Sequence, residues 1–153
     1  MEKRIPAQVF HGETNECGLA CIAMLAETQG VDAPLRALRE RYPASERGTS
    51  LATLCDILGE LQIPVYPVSF AFNELEALPL PAILHYGASH YVLLAWRKGR
   101  YVCVMNPALG QQQLPLDALR AQISGYALVL DEEATLDEAT LNARRTNRRL
   151  RAA

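Results

Sequence analysis

Three residues of this 153-residue chain could together do nucleophilic chemistry: Cys17, His90 and Asn106. Cys17 stands in Glu16-Cys17-Gly18-Leu19-Ala20-Cys21, at the head of an apolar helical pattern. A thiol at a helix N-terminus has its thiolate favoured by the helix dipole and by free N–H groups. His90 opens a strand-like run, Tyr91-Val92-Leu93-Leu94-Ala95, and can take the thiol proton. Asn106 follows the next apolar run, precedes Pro107, and can hold an imidazole in one tautomer. With four cysteines and three histidines in the chain, spacing alone singles out no trio. Position does more. Cys17 comes after polar Glu13-Thr14-Asn15-Glu16, at the first helical turn and off the apolar stripe. Gly18 leaves room for a substrate backbone beside the sulfur. Cys21, Cys55 and Cys103 sit among apolar neighbours and read as small core residues. The bland alternatives are a structural His90 and an Asn106 that only serves a turn. His85, at the end of the preceding strand, is a weaker competitor for the base.

These side chains need elements to hold them. The spacing of Leu19, Ile22, Ala23, Leu25 and Ala26 predicts a helix from about Cys17 to Thr28, stopped by Gly30 and capped by Asn15 or Thr14. A second helix is expected over Pro34 to Arg41, and a third over Leu51 to Leu61, capped by Thr49 or Ser50. After Pro64 the period changes to that of strands. Strands are expected at Val65 to Phe70, Ala82 to His85, Tyr91 to Arg97, Tyr101 to Met105, Gln111 to Leu114 and Tyr126 to Leu130. Lys98-Gly99 marks a hairpin. Asn73 to Leu78 reads as a short turn or helix, and Leu116 to Ile123 as a short helix. Helices first and strands after indicate an α+β fold with an antiparallel sheet. That order puts Asn106 on the strand next to His90.

Composition narrows the class. Half the residues are hydrophobic and the formal net charge is −2, which suits one globular domain and gives no global signal for nucleic acid. No apolar run reaches the roughly eighteen residues of a membrane span. Met1-Glu2-Lys3-Arg4-Ile5-Pro6 has no signal-peptide character, so the cysteines read as reduced cytosolic thiols. Cys17 and Cys21 are not a CxxC pair, and no metal site is expected. The domain is bounded at 1–130. Residues 131–153 form a charged tail, acidic from Asp131 to Glu138 and carrying five arginines from Arg144 to Arg151. This tail is either a solvated segment or a linker toward a transmembrane domain, its arginines facing the cytoplasm.

With these residues assembled, residues 6 to 130 resemble the N-terminal cysteine peptidase domain of bacteriocin-exporting ABC transporters, the double-glycine leader peptidases. Glu16-Cys17-Gly18-Leu19-Ala20-Cys21-Ile22-Ala23-Met24 is similar to the family's nucleophile motif. Pro81-Ala82-Ile83-Leu84-His85-Tyr86 and Ser89-His90-Tyr91-Val92-Leu93-Leu94 resemble its histidine motif, and Asn106-Pro107-Ala108-Leu109-Gly110 its Asp-Pro-Ala-x-Gly segment. The chain order Cys, His, Asn is also that of papain-like enzymes. The resemblance implies a papain-like fold with Cys17 as nucleophile, His90 as base and Asn106 as the orienting residue. Asn106 departs from the family's usual Asp. His11 stands where the family has a Gln, six residues before the cysteine, whose amide donates to the oxyanion. His11 is the expected substitute, with Gln8 an outside candidate. Losing one such donor costs about 2.7–4 kcal/mol of transition-state stabilisation. The implied substrate is a bacteriocin-like precursor, cut after the Gly-Gly or Gly-Ala pair that ends its leader. The leader is expected to bind as an amphipathic helix in an apolar groove. The implied partners are the transmembrane and ATPase domains of the transporter, with the peptidase domain itself soluble at the cytoplasmic face of the bacterial inner membrane. No cofactor is implied. The alternative is a peptidase-like domain of weak or no activity that only docks secretion cargo.

Overall fold

The computed structural model describes residues 5–132 apart from Ala88. Most of the tail expected from 131 onward lies outside the described residues. Three helices come first: α1 (Cys17–Thr28), α2 (Leu35–Arg41) and α3 (Leu51–Glu60). Six strands follow: β1 (Val65–Ser69), β2 (Ala82–Tyr86), β3 (His90–Lys98), β4 (Tyr101–Asn106), β5 (Gly110–Pro115) and β6 (Ile123–Leu130). They form one sheet in the order β1-β6-β2-β3-β4-β5, with every pair antiparallel. This is the expected α+β arrangement.

The alternation of the strands explains the layering. Ile83, Tyr91, Leu93, Cys103 and Met105 point to the helices and form one core with α1. Leu84, Val92, Leu94, Val102 and Val104 point the other way, onto Leu75, Leu116 and Leu119 of two short 3₁₀ turns. Successive strand residues face opposite sides, so near-continuous apolar strands mean both faces are covered. Every residue of α1 from Cys17 to Ala26 is buried, as an all-round apolar helix should be. Gly30, at φ 75, takes the left-handed conformation just past its end. Gly99, at φ 61, makes the two-residue turn that pairs Lys98 with Tyr101 and so brings β4 back beside β3.

Three local expectations are corrected. Leu116–Leu119 is only a 3₁₀ turn, and Ile123 begins β6 instead of ending a helix. Ile123 pairs with Tyr86 and packs on the second core, so tertiary burial outweighs local propensity there. Asn15 does not cap α1, whose N-cap position is held by Glu16. A 3₁₀ turn, Thr14–Glu16, runs straight into the helix, and Asn15 instead donates its side-chain amide to Ser45 O at 2.8 Å. Ser50 does cap α3, accepting from the Thr53 N–H. Among the described residues no helix is long and apolar enough to cross a membrane.

Candidate active site

β3 and β4 bring His90 and Asn106 together at the open end of their hairpin, where His90 begins β3 and Asn106 ends β4. His90 Nε2 lies 2.9 Å from Asn106 Oδ1. The same oxygen accepts the main-chain N–H of Ala108 at 2.9 Å and of Leu109 at 3.3 Å. An atom that takes two backbone N–H donors is the carbonyl oxygen of the amide, so His90 must donate from Nε2. In the neutral ring the lone pair is then on Nδ1. The asparagine, only 4 % exposed, thus sets the tautomer in which His90 can accept a proton at its other nitrogen.

Cys17 is the first residue of α1 and is 3 % exposed. Its Sγ lies 3.9 Å from Ser89 O, the carbonyl just before His90. The sulfur therefore lies against the backbone that leads into His90. The main-chain N–H of Tyr91, just after His90, favours the ionised sulfur. The N–H groups at the helix start favour the thiolate as expected, and burial outweighs them. Burial pushes the Cys17 thiol above its ordinary 9.0, and the N–H groups of Tyr91, Gly18 and Cys17 offset only part of that. Ionisation in this site calls for a proton acceptor beside the sulfur. Cys21 is fully buried, and its thiol is pushed well up by desolvation and then by Cys17. Cys103 is buried and Cys55 half-buried, and burial raises both.

The role expected of Gly18 also changes. A Cβ there would lie 2.9 Å from Leu54 Cδ2 and 3.4 Å from Tyr91 Cδ2. Glycine lets α1 close onto α3 and β3, so its cause is helix packing and not a passing substrate. The Tyr91 phenol is raised to about 12, first by burial and then by the two nearby thiols.

An N-terminal arm closes the site from the side of Asn106. His11 N–H donates to Pro107 O at 3.2 Å, and Gln8 Nε2 donates to Asn106 O at 2.9 Å. The His11 ring stands edge-on to His90, with centroids 6.3 Å apart, and its Nδ1 is buried without a protein partner. Gln8 does not offer a free donor. Its amide nitrogen gives one bond to Asn106 O and another, at 3.0 Å, to Val9 O.

Sequence reasoning missed two groups here. Glu16 looks like part of a polar approach to the helix, yet its side chain is 6 % exposed. It accepts from Gly12 N–H at 3.2 Å and Glu13 N–H at 3.1 Å, and from Arg39 Nε and Nη2. Arg39, then burial acting the other way, set its pKa, and the net direction is down. The second missed group is the wall of a cleft of about 560 Å³. Pro43, Arg47, Thr49 and Ser50 line it from the helical side, and His85, Ser89 and Tyr91 from the sheet. Ser89 O also contacts Cys17 Sγ, so this wall adjoins the sulfur. The expected competitor, His85, lies in this wall with Nδ1 bonded to Ser124 Oγ at 2.7 Å, and not to Asn106.

A thiol at a helix start, an imidazole on a neighbouring strand and an amide holding that imidazole define a cysteine peptidase of papain-like fold. Residues 7–135 match the peptidase C39 family, and the chain belongs to it. It is 36 % identical over 127 residues to the probable microcin-H47 secretion/processing ATP-binding protein MchF of Escherichia coli, covering 82 % of this chain and 18 % of that protein. It is 33 % identical over 144 residues to the colicin V secretion/processing ATP-binding protein CvaB of E. coli, covering 94 % and 20 %. The chain thus spans about a fifth of the length of these curated relatives. In fold it is similar to the double-glycine-motif protease of an AMS/PCAT transporter crystallised with its leader peptide. That match has TM-score 0.78, 22 % identity, and covers 84 % of this chain and 92 % of that one. The peptidase domain of Streptococcus ComA matches with TM-score 0.73 and 18 % identity, covering 83 % and 98 %.

Proposed function

We propose that this peptidase cuts the leader from a bacteriocin-like precursor after a double-glycine pair. Cys17 is the nucleophile, His90 the general base and acid, and Asn106 the residue that orients His90. The observation that carries this assignment is the Nε2–H···Oδ1 bond from His90 to Asn106, with Cys17 Sγ against the carbonyl of Ser89, the residue before His90. His90 takes the thiol proton at Nδ1 as Cys17 attacks the carbonyl of the second glycine. The oxyanion meets the N–H groups at the start of α1 and a ring nitrogen of His11. His90 then gives the proton to the departing amine, and water releases the leader by the reverse steps.

The relatives are named as secretion and processing proteins that bind ATP. On that likeness the cut is coupled to export, and the partners are the transmembrane and ATPase domains of an ABC transporter. The domain then works at the cytoplasmic face, with residues 131–153 as the linker. The reading as a docking module without activity is not favoured, because the groups needed for catalysis are retained and joined.

The test is cleavage of a synthetic precursor whose leader ends in Gly-Gly. One cut directly after the second glycine is expected, lost in Cys17→Ala. A cut elsewhere, or full activity in that variant, overturns the assignment.

A further inference from the structure

We propose that His85 grips the main chain of the substrate, its Nε2 accepting a backbone N–H from one of the three residues before the scissile bond. This rests on the cleavage reading above, with the cleft as the path of the leader's end. His85 sits on β2 directly across from Tyr91 on β3, their rings edge-on with centroids 5.2 Å apart. It lines the same cleft as Tyr91 and as Ser89, whose carbonyl contacts the sulfur.

The protonation of the ring follows from its neighbours. A bulge between Leu84 and Tyr86 takes His85 out of register with β6. Ser124 of β6 fills the gap, its hydroxyl donating to His85 O at 3.3 Å. A hydroxyl has one proton, and with that proton assigned to His85 O the 2.7 Å contact between Ser124 Oγ and His85 Nδ1 is made by a hydrogen on Nδ1. Nε2 of the neutral ring then carries a lone pair. Burial lowers the pKa of His85 below its ordinary 6.5, which keeps the ring neutral at physiological pH.

Such an acceptor suits the end of a double-glycine leader. Two glycines offer no side chains, so the groups left to recognise are their N–H and C=O. The Arg47 guanidinium can only donate. Ser45 Oγ and Ser50 Oγ bond within their own loop, the first donating to Gly48 O and the second donating to Thr53 Oγ1 and accepting from the Thr53 N–H. His85 supplies an acceptor on the sheet side.

The experiment is an ester scan. In separate peptides the amide N–H of each of the three residues before the cut is replaced by oxygen, and kcat/KM is measured for wild type and His85→Phe. The phenyl ring keeps the contact with Tyr91 but has no acceptor. In wild type one ester should cost about threefold to tenfold, the size of an ordinary hydrogen bond. In His85→Phe that penalty should vanish, while those at the other two positions stay. If His85→Phe does not fold, Ser124→Ala decides. Freed from Nδ1, the hydrogen can move to Nε2, and the same penalty should shrink. A full wild-type penalty in the folded variant overturns the role of His85 and leaves the cleavage reading standing. Failure of wild type to cut the all-amide peptide overturns both.

Discussion

Arg39 of α2 holds the carboxylate of Glu16, the residue next to Cys17, through both Nε and Nη2. The same carboxylate takes the N–H groups of Gly12 and Glu13. The loop between His11 and Cys17 is thereby folded around one anion. A Cβ on Gly12 would meet Arg39 Nη2 at 3.0 Å, so the loop passes close to the guanidinium. Arg39→Met keeps the stem and deletes the fork. We expect kcat to fall about 10- to 100-fold with KM little changed, since small misplacements of reacting groups cost that much. Arg39→Lys should recover part, because an ammonium restores charge but not the bidentate grip. In a His11→Ala background Arg39→Met should cost little more. A full, additive loss there would mean that Arg39 acts by another route.

The pair also carries a pH signature. The Glu16 pKa is lowered from 4.5 in the folded protein, chiefly by Arg39. The unfolded chain therefore binds the proton first as pH falls. The stabilisation is whole above about 4.5 and drains away below it, toward the folded value. Unfolding followed from pH 7 to 3 should show a steeper acid loss for wild type than for Arg39→Met. Parallel curves would remove Arg39 as the cause.

Cys17 and His90 should be linked in alkylation. Burial pushes the thiol above 9.0, so its reaction near neutrality depends on a neighbour that takes the proton. Iodoacetamide labelling of Cys17, mapped by mass spectrometry, should proceed near neutral pH in wild type. In His90→Ala it should require pH above 9. Identical profiles in the two proteins would separate His90 from the thiol.

Asn106 has two jobs, so its variants should divide. Asn106→Asp keeps an acceptor for His90, Ala108 and Leu109, and should retain activity within about tenfold. Asn106→Ala removes the acceptor of both N–H groups in a turn whose Ala108 and Leu109 are exposed, costing about 0.5–1.5 kcal/mol of stability for each bond lost. It also frees the His90 tautomer and so should lower kcat. Thermal unfolding and kinetics on one preparation separate the two effects. Wild-type stability in Asn106→Ala would contradict the three-donor arrangement.

Much of this site was legible in the sequence, for local reasons. Apolar periodicity marks α1, and Gly99 marks the hairpin that returns Asn106 to His90. What stayed hidden depends on distance along the chain or on packing. Glu16 and Arg39 are 23 positions apart, and nothing near Glu16 announces a partner on α2. Gly18 looks like space beside a nucleophile, while the structure makes it a contact with Leu54. Ser124 beside His85 arises from a bulge that no period predicts. Gly18→Ala tests the packing reading, with an expected loss of about 1–3 kcal/mol from overpacking. Adding Leu54→Ala should relieve part of the strain in a double-mutant cycle.

His11 is the residue whose role the chain's own chemistry leaves most open to test. Its Nδ1 is buried without a protein partner, an arrangement that costs stability unless something uses it. The ring stands edge-on to His90, and its backbone is tied to Pro107. A donor kept there for the oxyanion would act on the transition state more than on the bound substrate. His11→Ala should therefore lower kcat by about 10²–10³ and change KM little. His11→Gln restores an N–H donor and should keep or raise the rate. Since Gln8 has committed its amide nitrogen to backbone carbonyls, it should not compensate, and Gln8→Ala added to His11→Ala should not deepen the loss of kcat beyond its effect on folding. An unchanged kcat in His11→Ala, measured on a Gly-Gly leader substrate, would leave the oxyanion to the N–H groups of α1 alone.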